Sequence, residues 1–222
     1  MNRLKIWLSC FAVTVAAVIV AYAWIDRPTA FFAHDHLVQF KFFGKLPLIA
    51  EELFPIAVLI FLTVAAKMLL NQAVSKVHGY LFLCGLSLVV AETIKEQLKY
   101  IFGRTWPETW TNNNPSLIHD NVYGFNFFHS GQAYSSFPSG HTNAICAVMA
   151  VLWFAYPRYR ALYIVPVAAV IIGLIGADFH FVSDIIAGGF IGTSTGWILF
   201  IFWQAYFSAP PVAKLAKKKL KK

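Results

Sequence analysis

Only 13% of the 222 residues are charged, whereas 59% are hydrophobic, and the mean hydropathy is +0.62. A water-soluble domain of this length carries about twice that charged fraction, so the composition excludes an ordinary soluble protein and predicts membrane-spanning helices. The net charge of +8 is compatible with nucleic-acid binding, but basic segments beside membrane spans more often meet anionic lipid heads, so no nucleic-acid partner is expected.

Six apolar stretches predict an all-α bundle of six transmembrane helices. In chain order they cover residues 6–25, 53–70, 79–91, 142–156, 161–177 and 185–207. Several are shorter than the roughly 20 residues that a perpendicular span needs, and polar ends facing other helices could extend the third and fourth. The first stretch resembles a signal peptide with a cleavage site at Ala21-Tyr22-Ala23. However, it exceeds the usual apolar core of about 7–15 residues, which favours a retained helix.

Positively charged residues indicate the orientation of the bundle. They gather before the first stretch, in the links after the second and fourth stretches, and in the tail at residues 209–222. With six spans these places share one side, and the positive-inside rule makes that side, with both termini, cytoplasmic. The sequence thus predicts a single integral membrane domain over residues 1–222, with a basic cytoplasmic tail that could meet anionic lipid heads.

Two outer regions carry most of the polar residues. Residues 26–52 are rich in aromatic side chains and predict an interfacial helix. Within them His34 and His36 straddle Asp35, a pattern that could indicate a metal site, but without a further clustered ligand a wet interfacial surface is favoured. Residues 99–137 are rich in Asn, Ser, Gly and aromatics, and predict a packed cap at the membrane surface.

The outer end of the third stretch carries four charged residues on one helical face. Glu92, Lys95, Glu96 and Lys99 repeat at intervals of three and four. The first three predict a self-neutralising ladder of salt bridges. Lys99 differs, because Arg104 follows five residues later and both are cationic.

The segment Pro138-Ser139-Gly140-His141 predicts a helix start that can also bind an anion. Pro138 and Ser139 are typical helix-start residues, and Gly140 lets the backbone approach a ligand closely. The N–H groups of a helix start form an anion site, and His141 in the first turn can give or take a proton. The alternative is a capped transmembrane helix with an incidental histidine.

His180 and Asp184 are four residues apart and share a face if the last helix starts near His180. A carboxylate one turn away can hold an imidazole in one tautomer and stabilise its protonated form. Such a pair by itself is structural more often than functional. Because this pair, the Pro138–His141 segment and Lys99 all fall on the same side of the bundle, we expect one functional site there.

Together these segments resemble the type-2 phosphatidic acid phosphatase superfamily, whose membrane lipid phosphatases share a fold with vanadium haloperoxidases. The family has three ordered motifs: Lys, six residues, Arg-Pro; then Pro-Ser-Gly-His; then Ser-Arg, five residues, His, three residues, Asp. The second motif is complete at 138–141, the third is present in its second half at His180 and Asp184, and the first matches at Lys99 and Pro107.

The resemblance covers about residues 79–205, a family-like catalytic core, and departs from the family at two places. Trp106 stands where the first motif has arginine, and Gly173-Leu174 stand where the third has Ser-Arg. In the family both arginines bind phosphate, and each lost charge-assisted hydrogen bond is worth roughly 1.5–3 kcal/mol. Arg104 could move into the first position, whereas Asp178, near the third, would repel a phosphate if ionised.

The resemblance implies a phosphatase mechanism with a phosphohistidine intermediate. His180 would attack the phosphorus, Asp184 would orient its ring, and His141 would protonate the leaving oxygen and then activate water. The groups implied to hold the phosphate oxygens are Lys99, Arg104, Ser139 and the backbone N–H of Gly140. This scheme requires no metal and no other cofactor, because cationic side chains take the place of a divalent ion.

The implied substrate is a membrane lipid phosphate whose tails stay in the bilayer, at the periplasmic face if the chain lies in a bacterial inner membrane. Phosphatidic acid, phosphatidylglycerol phosphate, undecaprenyl diphosphate and the phosphate of lipid A all fit the family, and the loop at 105–137 is expected to choose among them. Two alternatives remain: a phosphotransferase that passes phosphate to another lipid, and a non-catalytic membrane relative, which the missing arginines favour.

Overall fold

The computed structural model describes residues 2–110 and 113–208, and within those residues regular structure is helical, with three isolated β-bridges and no strand. The longer elements are α1 (Arg3–Val20), α2 (Asp26–His36), α3 (Leu48–Leu69), α4 (Lys76–Phe102), the single turn α5 (Leu117–Asp120), α6 (Gly140–Ala155), α7 (Arg160–Gly176) and α8 (Val182–Ser208). A π-helical turn at Ala21–Ile25 makes α1 and α2 continuous. The predicted all-α class is confirmed, while the basic tail at 209–222 lies outside the described residues.

Five helical segments are long and apolar enough to cross a membrane. They are Arg3–His36, Phe43–Leu69, Lys76–Phe102, Pro157–Gly176 and Val182–Tyr206. The fourth predicted stretch corresponds to α6, which is apolar but has only 16 residues. The first segment has 34 residues. At 1.5 Å per residue it is about 51 Å long, so it extends well past a hydrocarbon core of about 30 Å.

Helices α6 and α8 pack with their backbones in close contact because α8 carries a stripe of glycines. Gly188, Gly192 and Gly196 follow one another at intervals of four residues. A Cβ at each position would overlap a main-chain oxygen of α6 or its N-cap, namely those of Ser139, Asn143 and Ala147. Small residues at this spacing allow membrane helices to approach closely. The start of α6 is thereby held against the start of α8.

The long segment between α4 and α6 packs as a cap over the ends of α4, α6 and α8. It begins at Gly103, which ends α4 in the left-handed conformation at φ 52°. Aromatic rings of Phe102, Phe125 and Phe137 pack against one another with centroids 4.9–5.8 Å apart. The N–H of Ser136 donates to the carbonyl oxygen of Arg104 at 3.1 Å, which joins the two ends of the segment. The aromatic content of this region therefore serves packing, as predicted.

Candidate active site

Three segments that are far apart in the sequence meet at one cavity of about 250 Å³. Lys95 and Lys99 line it from the last turns of α4, Gly140 and His141 from the start of α6, and His180 from the turn between α7 and α8. A second cavity of about 320 Å³ adjoins it. The residues common to both cavities are Glu51, Trp106, His141 and His180. The segments therefore converge at one end of the bundle.

His180 is the most enclosed ionisable group on these cavities, with 4% of the residue exposed. Its Nδ1 lies 3.5 Å from Oδ2 of Asp184. α8 begins at Val182, so His180 lies two residues before the helix and Asp184 lies in its first turn. Burial lowers the pKa of His180 to about 4, although its hydrogen bond to Asp184 acts in the opposite direction. The ring is therefore neutral near pH 7, and Nε2 is the nitrogen left for nucleophilic chemistry.

Hydrogen bonds to both oxygens fix the carboxylate of Asp184. Its Oδ2 accepts hydrogen bonds from the hydroxyl of Ser136 at 2.6 Å and from the N–H of Phe181 at 3.1 Å. Its Oδ1 accepts from Nη1 of Arg104 at 2.5 Å. Because neither oxygen can rotate without losing a hydrogen bond, the carboxylate is pre-positioned for His180.

Arg104, which the sequence predicts as a phosphate ligand, lines neither cavity. Its guanidinium is fully buried, and Nη2 donates to Oδ2 of Asp26 at 2.8 Å while Nη1 binds Asp184. Four aromatic rings surround it with centroids 4.2–5.2 Å away, those of Tyr22, Tyr123, Phe125 and Phe181. Both terminal nitrogens of the guanidinium are therefore occupied by carboxylates. Arg104 thus fixes the position of Asp184.

Asp26 completes this buried group, and nothing in the local sequence singles it out. Besides Arg104, its carboxylate accepts from the N–H of Ser183 at 2.9 Å and from the hydroxyl of Ser183 at 2.5 Å. The hydroxyl of Tyr123 donates to it at 3.2 Å. Asp26 therefore fastens the start of α2 to the start of α8, close to the site.

His141 lies opposite His180, and the two ring centroids are 6.0 Å apart. Its Nε2 is 3.0 Å from Oε1 of Glu51, in the first turn of α3. Glu51 is a site residue that the sequence does not indicate, since it lies far from the motifs and resembles any other carboxylate at a helix start. A carboxylate beside an imidazole supports proton transfer by orienting the ring and stabilising its charged form.

One side of the cavity is lined by two lysines and the start of α6. Lys95 binds Glu92 at 2.5 Å and Glu96 at 2.8 Å, which confirms the predicted ladder. Lys99, by contrast, has no ion pair within the described part of the chain. A Cβ at Gly140 would lie 3.3 Å from Nζ of Lys95, so the ammonium lies beside the first turn of α6. A helix start favours an anion, and so does the ammonium of Lys99 on the same cavity.

Ser139, which the family resemblance assigns to phosphate binding, caps the start of α6. It is fully buried and lines neither cavity. Its hydroxyl oxygen accepts from the N–H of Thr142 at 3.5 Å and from the Thr142 hydroxyl at 3.3 Å. Its own N–H donates to the carbonyl oxygen of Asp184 at 3.0 Å. Ser139 therefore aligns the start of α6 with the start of α8.

The positions that depart from the family are occupied by apolar groups. Leu174 is fully buried in an apolar cluster with Ile145 and Val170. Trp106 lines both cavities, and its ring centroid is 5.0 Å from that of His180. An aromatic surface thus replaces the guanidinium of the first motif.

Asp178, which the sequence predicts to lie near a bound phosphate and to repel it, lines neither cavity. It is buried and lies beside Glu108. Burial, and to a smaller extent the neighbouring Glu108, raise the pKa of Asp178 to about 8. Its carboxyl group belongs to a separate polar cluster at the outer surface.

Comparisons with known proteins agree with this architecture. Residues 80–208 match the family model described as the PAP2 superfamily. A lipid A 1-phosphatase of Rhizobium etli is 29% identical over 95% of this chain and 89% of its own length, and one of Rhizobium johnstonii is 30% identical over 82% and 75%. The crystal structure of the first transmembrane PAP2 type phosphatidylglycerolphosphate phosphatase from Bacillus subtilis has a TM-score of 0.52 at 16% identity, covering 88% of this chain and 94% of that chain. At this identity the structural likeness concerns the fold alone.

Proposed function

The chain belongs to the PAP2 superfamily, and on that basis we propose that it is an integral membrane phosphatase that hydrolyses a phosphomonoester or diphosphate of a membrane lipid. The observation that carries this proposal is His180, a buried and neutral imidazole that is oriented by Asp184 and lines a cavity with two lysines and a helix start. A cavity of this kind can hold a phosphate and present a nucleophile to it.

In the first step, Nε2 of His180 attacks the phosphorus. A nitrogen–phosphorus bond forms while the bond from phosphorus to the lipid oxygen breaks, and His141 gives its proton to that oxygen. Asp184 accepts the hydrogen bond of Nδ1–H and stabilises the positive charge that develops on the ring. Lys99 and the first N–H groups of α6 stabilise the phosphate oxygens. The product of this step is a phosphohistidine and the dephosphorylated lipid.

In the second step, His141 takes a proton from a water molecule, and the resulting hydroxide attacks the phosphohistidine. The nitrogen–phosphorus bond breaks, inorganic phosphate leaves, and His180 returns to its neutral form. Both histidines line the same two cavities, so a phosphoryl group bound there would be within reach of both rings. Glu51, 3.0 Å from His141, stabilises the protonated ring before the first step and again after the second.

Within this class, we propose that the phosphate is attached to a sugar, as in lipid A. Two relatives are lipid A 1-phosphatases. The lining of the second cavity also suits a saccharide, because Trp106, Trp110 and Phe179 offer apolar ring faces while the exposed side-chain amide of Gln132 offers hydrogen bonds. In this proposal Trp106 replaces a phosphate contact by a contact to the sugar next to the phosphate.

The same arrangement supports six spans with the site on the periplasmic side of a bacterial inner membrane. The site unites the ends of α4 and α7 with the starts of α6 and α8, so α6 runs between the same two faces as α7 despite its 16 residues. Arg158 and Arg160 lie at the opposite end of α6 and α7, the side that the positive-inside rule assigns to the cytoplasm. Both termini then lie in the cytoplasm, where the tail at 209–222 would meet anionic lipid heads.

Phosphate release by the purified protein in detergent tests the proposed reaction. We expect release from wild type with EDTA present, and a loss of at least about 10³-fold in His180→Ala, because removing a nucleophile removes the covalent route. Gel filtration and thermal unfolding of His180→Ala establish that the variant is folded. Unchanged activity in this variant would contradict the assignment of the nucleophile. Labelled lipid product with little inorganic phosphate would indicate phosphate transfer in place of hydrolysis.

A panel of lipids tests the substrate class in the same assay. It contains lipid A, phosphatidic acid, phosphatidylglycerol phosphate and undecaprenyl diphosphate, and we expect the highest kcat/KM for lipid A. Trp106→Ala should raise KM for lipid A while leaving KM for phosphatidic acid nearly unchanged, and Trp106→Phe should preserve the preference. An equal effect of Trp106→Ala on all four lipids would contradict the contact to the sugar.

A further inference from the structure

A second group of ionisable side chains lies outside both cavities. His34 comes from the last turn of α2, Glu108 from the segment after α4, and Asp178 from the turn between α7 and α8. One ligand atom from each residue lies within 4.8 Å of the other two. We refer to these three residues as the outer triad. None of them lines a cavity at His180, and the proposed mechanism uses none of them.

Glu108 is the centre of the outer triad, and only 9% of its side chain is exposed. Its Oε2 lies 2.7 Å from Nδ1 of His34, and its Oε1 lies 2.6 Å from Nε2 of His119. Imidazole nitrogens and carboxylate oxygens are the donors that bind Zn²⁺ in proteins. His119 binds the other oxygen of Glu108, as partners behind a metal-ligating carboxylate commonly do.

Asp178 gives an independent reason to expect a cation. The residue is 2% exposed, and among the described residues none donates a hydrogen bond to its Oδ2. A buried carboxylate oxygen without a hydrogen bond is costly, because the water it gave up has not been replaced. The neighbouring carboxylate of Glu108 adds repulsion between like charges. A divalent cation between the two carboxylates would remove both penalties.

We propose that the outer triad binds a divalent transition-metal ion, for which Zn²⁺ is the best match, through Nδ1 of His34 and one carboxylate oxygen each of Glu108 and Asp178. Ligands at about 2.0–2.1 Å from a tetrahedral Zn²⁺ lie about 3.3 Å apart. The three atoms already lie within 4.8 Å of one another, so small side-chain rotations bring them onto one ion. The hydrogen bond between His34 and Glu108 is then replaced by two metal–ligand bonds.

The role of this ion is to join segments, since it lies outside the cavity where phosphate binds. It links α2, the segment after α4, and the turn that carries His180 two residues beyond Asp178. Restricting that turn holds the nucleophile at a constant position relative to the outer cap. The His34-Asp35-His36 pattern does include one ligand, but its partners come from Glu108 and Asp178 and not from Asp35 or His36.

The first experiment measures zinc binding by the full-length protein in detergent, purified with a tag that lacks histidine and stripped with EDTA. ZnCl₂ alone is then added, unbound metal is removed, and bound zinc is measured by mass spectrometry of the elements. We expect about one ion per chain and an increase of several degrees in Tm relative to the EDTA-treated protein. Mg²⁺ should give a smaller increase, because it binds imidazole poorly. Neither readout depends on phosphatase activity.

Matched variants assign the bound ion to the outer triad. Asp178→Asn and His34→Ala should lose both the bound zinc and the rise in Tm, whereas their exposed neighbours on α2, Asp35→Asn and His36→Ala, should keep both. Asp178→Asn preserves side-chain volume, and we expect its Tm in EDTA to stay close to that of wild type because an amide replaces a buried carboxyl group of the same size. No zinc retained by wild type, or equal retention by Asp178→Asn and wild type, would overturn the proposal.

Discussion

Arg104 illustrates how burial determines what a charged side chain does. Its position two residues before Trp106, where the family motif has an arginine, suggests a phosphate ligand, but its guanidinium lies between Asp26 and Asp184 and lines neither cavity. A buried cation between two carboxylates holds the partner of His180 in position. We therefore expect any effect of Arg104 on activity to be indirect, through the position of Asp184.

Replacing Arg104 tests this role. Arg104→Ala leaves the carboxylates of Asp26 and Asp184 buried without their cation, so we expect a destabilisation of about 3–5 kcal/mol. Thermal unfolding in detergent measures it. Arg27→Ala is the matched control, because Arg27 is the exposed neighbour of Asp26 and its loss should change stability by less than about 0.5 kcal/mol. An Arg104→Ala protein that is as stable as wild type but has a raised KM would contradict this role and indicate that Arg104 binds phosphate.

At the scale of helices, apolar length and charge pattern predict most elements within a few residues. The stretch 161–177 corresponds to α7 and 185–207 to α8, and the ladder from Glu92 to Lys99 continues α4 to Phe102. The first helix differs, since it runs on through Asp26 to His36. The hydropathy pattern predicts an end at residue 25, because the next residue, Asp26, is charged. In the folded protein Asp26 is buried and paired with Arg104, so the helix continues.

The glycine stripe of α8 can be tested at the same scale. In Gly192→Ala the new methyl group would overlap the carbonyl oxygen of Asn143, which is main chain and cannot move aside, so we expect a loss of about 1–3 kcal/mol. In Gly189→Ala the nearest atom is a methyl carbon of Thr142 at 3.5 Å, an ordinary contact. That variant should be as stable as wild type or more so, because alanine favours helix. Equal Tm values for both variants would contradict close packing of α6 and α8.

At the scale of the whole molecule, the orientation in the membrane decides which face meets the substrate. Labelling tests it in a variant whose cysteines, Cys10, Cys84 and Cys146, are replaced by alanine. Ser130→Cys places a thiol on the exposed cap, and Arg158→Cys places one on the link between α6 and α7. A membrane-impermeant maleimide should label Ser130→Cys in cells with a permeabilised outer membrane, and Arg158→Cys only after lysis. The reverse pattern would place the site in the cytoplasm.

The sequence by itself determined the membrane class, the helical fold and the family, because hydropathy and short motifs such as Pro138–His141 are local properties of the chain. The tertiary structure alone decided the partners: Asp26 reaches Arg104 across 78 residues, and Glu51 reaches His141 across 90. It also brought Asp178 to His34 and Glu108. The physical reason is that burial and the few ångströms between side chains arise from packing, and spacing along the chain does not encode them.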